Sequence, residues 1–226
     1  MRRVLKWLAI GFGGVTVLFA TLLALAVTGV IGPPSPSPEA IERSVDRTEA
    51  RLEEARILPV AGRYGRELHW QSNGSMCGPA SLVNVYRSFG ETVADEDEVL
   101  EGTGKCGLGI CVMGLTLDEL AEVARSHGSR EVTVLRDLDI EQFREHLRRS
   151  NDPAYRYVIN FSREPIFGEG SGHHSPIGGY LVEQDVVVVL DVNEAYRAPW
   201  LVETERLHAA MRTLDGDLER GLLLIE

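Results

Sequence analysis

The sequence predicts an α+β fold, helical in its first half and built on an antiparallel sheet in its second, behind an apolar N-terminal segment. Helix signals cluster between residues 77 and 149, where Ala80, Leu82, Val83, Val85 and Phe89 recur at helical spacing. Strand signals cluster after residue 156, in β-branched and aromatic runs separated by short polar turns. Helices first and antiparallel strands after them are the order of an α+β domain.

The first segment stands apart. Residues 7–31 carry no charge and are rich in Leu, Val, Ala and Gly, after Arg2, Arg3 and Lys6. At ~1.5 Å per residue such a run is long enough to cross a hydrocarbon layer of ~30 Å. The basic residues precede it, so the expectation is a signal anchor over residues 1–32, with a cytoplasmic N-terminus and an extracytoplasmic body at an inner or plasma membrane. Ala24-Leu25-Ala26 resembles a signal cleavage site, but the apolar run before it is long for a cleaved signal. Residues 33–56 are expected to form a Pro-rich linker and a stalk helix capped by Ser37, with Ile41, Val45, Leu52 and Ala55 at helical spacing and no role beyond spacing. The folded body is expected over 57–226.

Within the body a helix is expected from Cys77 to Phe89, stopping at Gly90. Thr116 and Glu119 form a capping box that opens a second helix, with Leu115 and Leu120 as its hydrophobic staple and Gly128 as its stop. A third helix follows Asp139 over about 140–149, with a strand over 131–135 before it. Strands are expected over 157–161, 175–182 and 186–192, with Glu183–Asp185 as a hairpin turn, then a helix over about 203–213 and a last strand over 221–225.

The chain of 226 residues has a net charge of −11, and the part after residue 31 is more acidic still. A body of that charge repels phosphates, which argues against a nucleic-acid partner. Three cysteines leave at least one unpaired within a chain. Cys106 and Cys111 lie close together in a glycine-rich segment and suit a small disulfide loop in an oxidising compartment, or an unpaired pair. As metal ligands they would suit Cd²⁺ or Zn²⁺, but two thiolates are too few to close a site.

Cys77 stands alone, after the loop Gln71-Ser72-Asn73-Gly74-Ser75-Met76 and before Gly78-Pro79-Ala80-Ser81. A thiol at the first turn of a helix feels the positive end of the macrodipole, which favours thiolate. The unpaired N–H groups of that turn, and the side-chain amide of Gln71, are candidate oxyanion donors. A nucleophilic Cys needs a base, and the base needs an orienting group. His173 and His174 start one strand, and Asp191 ends the next, on the same face as Val187 and Val189. A hairpin brings residue 173 near residue 191, and a carboxylate in so apolar a strand needs a partner. His69, His127, His146 and His208 lack such partners in the sequence and read as surface residues.

Taken together, Gln71 with Cys77-Gly78-Pro79-Ala80-Ser81, Gly172-His173-His174-Ser175-Pro176-Ile177-Gly178-Gly179-Tyr180, and Leu190-Asp191-Val192 before Pro199-Trp200 are similar to the phytochelatin synthase family, in its short bacterial form. That family belongs to the papain-like cysteine peptidases. The resemblance implies a papain-like fold, with Cys77 as nucleophile, His173 as base, Asp191 as its orienting acid and Gln71 as oxyanion donor. It implies glutathione as substrate, a γ-glutamylcysteinyl acyl-enzyme, release of glycine, and then hydrolysis or transfer to a second glutathione. It implies no resident cofactor, with Cd²⁺ or Zn²⁺ entering as thiolate complexes of the substrate. Met76, Asn73 and Glu194 differ from the plant pattern, and Arg197 is a candidate source of positive charge for the substrate. Two alternatives are a C39-like peptidase acting on a peptide with a Gly-Gly leader, and an exported thiol or metal-binding module without catalysis.

Overall fold

In a computed structural model, the described residues are 35–226, except 66, 108–110, 112 and 113, together with residues 18 and 21. Apart from residues 18 and 21, the expected N-terminal span lies outside them. No helix among the described residues is long and apolar enough to cross a membrane.

The segment expected to be a free stalk is part of the folded body. It forms two helices, α1 (Pro38–Ser44) and α2 (Glu49–Arg56). Ser37 caps α1 by accepting from the Ala40 N–H, and its own hydroxyl and N–H bond Glu169 from a distant part of the chain. Ile41 and Leu52 are buried. Between the helices Asp46 bridges Leu201, with backbone bonds of 3.0 and 2.9 Å in the two directions. The apolar residues taken for a weak stripe on one solvated helix are two separate anchors onto the body.

Helices α3 (Cys77–Ser88), α4 (Glu96–Leu100) and α5 (Leu117–His127) follow. The Thr116 capping box opens α5 as its sequence requires, and a second box, from Asp139 and Gln142, opens α6 (Ile140–Arg149). The strands are β1 (Val132–Leu135), β2 (Arg156–Ser162), β3 (Gly172–Leu181), β4 (Val186–Val189), β5 (Trp200–Glu203) and β8 (Gly221–Ile225). They form one antiparallel sheet in the order β1-β8-β2-β3-β4-β5. A short helix, α7 (Glu164–Phe167), joins β2 to β3, and α8 (Thr204–Met211) follows β5. A two-stranded hairpin, β6 (Leu214–Asp215) and β7 (Leu218–Glu219), leads into β8. Strand β5, the hairpin and the short helices α4 and α7 are additions to the sequence reading.

Alternation on the strands explains the layers. Tyr157, Ile159 and Phe161 with Leu222 and Leu224 face a core closed by Phe143 and Leu147 of α6 and Leu207 and Met211 of α8. Val158, Leu223 and Ile225 face the opposite way, onto Leu82 and Val85 of α3 and Leu120 and Val123 of α5. The helix carrying Cys77 therefore lies directly on the sheet. Strand β3 is bulged between Ile177 and Gly179. At Gly179 φ is +135°, and a Cβ there would lie 2.5 Å from Leu58 Cδ1, so this position requires glycine. Beyond the bulge, the Leu190 N–H donates to Pro176 O at 3.0 Å, which carries Asp191 back along β3 toward His173.

Candidate active site

Cys77 begins α3, is 6% exposed, and is the free cysteine of the chain. Its side chain packs against Ala80 and Val192. Asp191 is fully buried and accepts three hydrogen bonds, from the Asn193 N–H at 2.9 Å, Trp200 Nε1 at 3.3 Å and His173 Nε2 at 2.8 Å. Three donors, one of them an imidazole, offset the cost of burying that carboxylate. His173 stands opposite Phe161 in the β2–β3 register, meets that ring edge-on, and stacks on Tyr196. With Nε2 held by Asp191, its Nδ1 is the ring nitrogen left for the sulfur, on which the His173 charge acts; the imidazole at hydrogen-bond distance from the sulfur is that of His174, with Nδ1 3.8 Å away.

The electrostatics follow from these contacts. Burial alone pushes the Cys77 thiol up, but the imidazoles of His173 and His174 beside it bring it well below the ordinary thiol range. Burial alone pushes the His173 imidazole down, but the Asp191 charge, its hydrogen bond and the thiolate raise it to about 9. Both shifts favour a thiolate facing an imidazolium.

Gln71 reaches the site through the backbone. Its N–H donates to Val192 O at 2.8 Å, beside the Val192 side chain that touches Cys77. One N–H of its side-chain amide donates to Asn73 O at 2.8 Å, leaving the second N–H for another acceptor. The loop is clamped from behind. Asn84 of α3 pairs with both the N–H and C=O of His69, and buried Glu96 of α4 accepts from His69 Nε2 and the Ser72 N–H, both at 2.8 Å.

His69, His127, His146 and His208 are not plain surface residues. His69 holds Glu96, His127 packs on Tyr86, His146 bonds Tyr157 and His208 bonds Leu138 O. Cys106 and Cys111 form a disulfide, so their sulfurs are not thiolate ligands, and no group of three potential metal-ligating side chains occurs among the described residues.

Arg220 is the site residue that the sequence reading missed. Its guanidinium lies over Gly172, where a Cβ would sit 2.3 Å from Nη1, and its charge acts on Cys77. It donates to Asn160 Oδ1 at 2.7 Å and pairs with Asp215 at 3.3 Å. Burial lowers its pKa, partly offset by Asp215 and Cys77. Arg197, the expected cation, is exposed in a turn at φ +48°. A lone Arg before a strand gives no signal, because only the β6–β7 hairpin carries it back to Gly172.

A thiol at a helix start, set against a sheet-borne imidazole and carboxylate in an α+β body, defines the papain-like class. The phytochelatin synthase family model matches residues 36–222, and the chain belongs to that family. It is 30% identical over 174 residues to glutathione gamma-glutamylcysteinyltransferase 3 of Lotus japonicus, covering 69% of this chain and 35% of that protein. It is 27% identical over 212 residues to glutathione gamma-glutamylcysteinyltransferase 1 of Arabidopsis thaliana, covering 84% of this chain and 42% of that protein. The chain thus spans well under half the length of either relative. Among solved structures, a protein of Bacillus anthracis named as a C39-like peptidase superposes with a TM-score of 0.52 at 14% identity, over 71% of this chain and 94% of that one. That likeness concerns the fold.

Proposed function

We propose that this protein is a glutathione γ-glutamylcysteinyltransferase-like thiol enzyme. The observation that carries the reading is the buried Cys77–His173–Asp191 constellation in a chain of this family. The Cys77 thiolate adds to the carbonyl carbon of the cysteinyl–glycine amide. Gln71 and the N–H groups at the start of α3 face the oxyanion that forms. The C–N bond then breaks, His173 gives its proton to the departing glycine amine, and a γ-glutamylcysteinyl thioester remains on Cys77. Water or the amine of a second glutathione attacks the thioester while His173 takes up its proton. Hydrolysis gives γ-glutamylcysteine, and transfer gives the longer γ-glutamyl peptide. Arg220 and Asp215 offer a cation and an anion to a substrate with an α-carboxylate and an α-amino group, as the γ-glutamyl head has.

The role of heavy metal in this reading is as cargo, with Cd²⁺ or Zn²⁺ arriving as thiolate complexes of glutathione. Residues 1–32 serve as a membrane anchor with the N-terminus cytoplasmic and the body extracytoplasmic. Their apolar run behind Arg2, Arg3 and Lys6 supports this, as does the Cys106–Cys111 disulfide, since such bonds persist in oxidising compartments.

The test is glycine release from glutathione by the full chain, with and without Cd²⁺, beside Cys77→Ala. Release that vanishes in the variant supports the reading. No release by either protein, with cleavage of a Gly-Gly leader peptide instead, would replace it with the peptidase reading.

A further inference from the structure

His174 is not used by this mechanism, yet it touches the reacting sulfur. Its Nδ1 lies 3.8 Å from Cys77 Sγ, and the residue is 2% exposed. It stands opposite Asn160 in the β2–β3 register, while His173 stands opposite Phe161, so the two imidazoles start from opposite faces of β3. The contact between His174 and the sulfur is built in. Ser81 Oγ bonds both Cys77 O, at 2.7 Å, and His174 O, at 3.2 Å, fixing the first turn of α3 against this part of β3. The first turn of α3 packs close to the ring: a Cβ at Gly78 would lie in ordinary contact with Nδ1, at 3.8 Å, and would press on Leu120 Cδ1 at 3.0 Å.

The far nitrogen decides how this ring acts. His174 Nε2 is buried and has no hydrogen-bond partner among the described residues. A buried N–H without an acceptor is costlier to leave than a bare ring nitrogen, and an imidazolium would leave that same Nε2–H without one. The proton therefore belongs on Nδ1, where it points at the sulfur. In that tautomer His174 is a donor that gives no proton away, whereas His173, coupled to Asp191, is the one that transfers.

We propose that His174 is a second catalytic imidazole, neutral and protonated on Nδ1, whose N–H···S hydrogen bond holds Cys77 as thiolate independently of His173. The proposal rests on Cys77 being a nucleophile of the kind described above, but not on glutathione being its substrate. The ionisable groups around the sulfur are His173 and His174 of β3 and Arg220 ahead of β8, with Asp191 behind His173 and Asp215 beside Arg220. From α5 the neighbour at this turn is Leu120, which carries no charge.

Two measurements on the full chain in detergent test it, neither using glutathione. The first is the pH dependence of Cys77 alkylation by iodoacetamide, with the other two cysteines protected in their disulfide. In His174→Phe the midpoint for thiolate formation should rise by about one pH unit, a roughly tenfold loss of thiolate at the foot of the curve. His174→Gln, which keeps a side-chain N–H, should recover part of that shift. A midpoint unchanged in a folded His174→Phe would overturn the proposal. The second measurement needs no variant: long-range ¹H–¹⁵N correlation of the histidine rings. A neutral His174 carrying its proton on Nδ1 is the expected result, and a proton on Nε2 would overturn the proposal even if every variant misfolds. No glycine release from glutathione by the unaltered chain, with both results as expected, would count against the glutathione reading alone.

Discussion

A thiol buried as deeply as Cys77 ordinarily stays protonated, because burial penalises the anion. Here two imidazoles and a helix start reverse that preference, while burial and Asp191 pull His173 in opposite directions and Asp191 prevails. Activity should therefore rise as Cys77 ionises, below the ordinary thiol range, and fall as His173 loses its proton at about 9. The same raised pKa stabilises the fold. That contribution is complete below the free-imidazole value of about 6.5 and is lost as pH rises through about 9. Asp191→Asn removes the charge that raises His173, so the falling limb should move to lower pH and kcat should drop by about 10²–10⁴-fold, read from a full pH–rate profile. At this scale the sequence was informative where chemistry is local. Gln71, Cys77, His173 and Asp191 all sit in short motifs whose residue types restrict their use. Arg220 was illegible because nothing near it in sequence marks it. The neighbour that makes room for it, Gly172, lies 48 positions earlier.

Among the elements, the loop before α3 is held by side chains whose own sequence contexts look unremarkable. Glu96 reads as one acid in a run of four, yet it is 5% exposed and holds both His69 and the Ser72 N–H beside Gln71. Glu96→Ala removes the charged acceptor of both the Ser72 N–H and His69 Nε2 and should cost about 1–3 kcal/mol in urea unfolding. The same change should lower kcat more than it raises KM, because Gln71 loses its fixed position while Cys77 keeps its helix. The Thr116–Glu119 capping box was legible because both partners lie within four residues. Replacing Thr116 by Ala should cost about 1 kcal/mol of stability with little effect on the chemistry. Strand β5 was missed because it is four residues long and follows Pro199, which hides its start. Its pairing with β4 and its bridge to Asp46 make it a strand, and both partners are distant in sequence.

For the whole molecule, the order of helices and strands carried the α+β class, since period and turn residues are local properties. The boundary of the body was not legible. Residues 39–56 are highly charged, so their few apolar positions read as a weak stripe, although Ile41 and Leu52 are buried against the rest of the fold. Burying each such side chain is worth about 1.5–3 kcal/mol. A chain trimmed to 35–226 should thus unfold several degrees above one trimmed to 57–226, as calorimetry would show.

The proposed chemistry passes through an acyl group carried by one sulfur. The direct measurement is intact and peptide-level mass spectrometry of the full chain quenched in acid after brief exposure to glutathione. The expected product is an adduct on the Cys77 peptide equal to glutathione less glycine, resistant to phosphine and absent in Cys77→Ala. An unmodified Cys77, or an adduct of whole glutathione that phosphine removes, would contradict it.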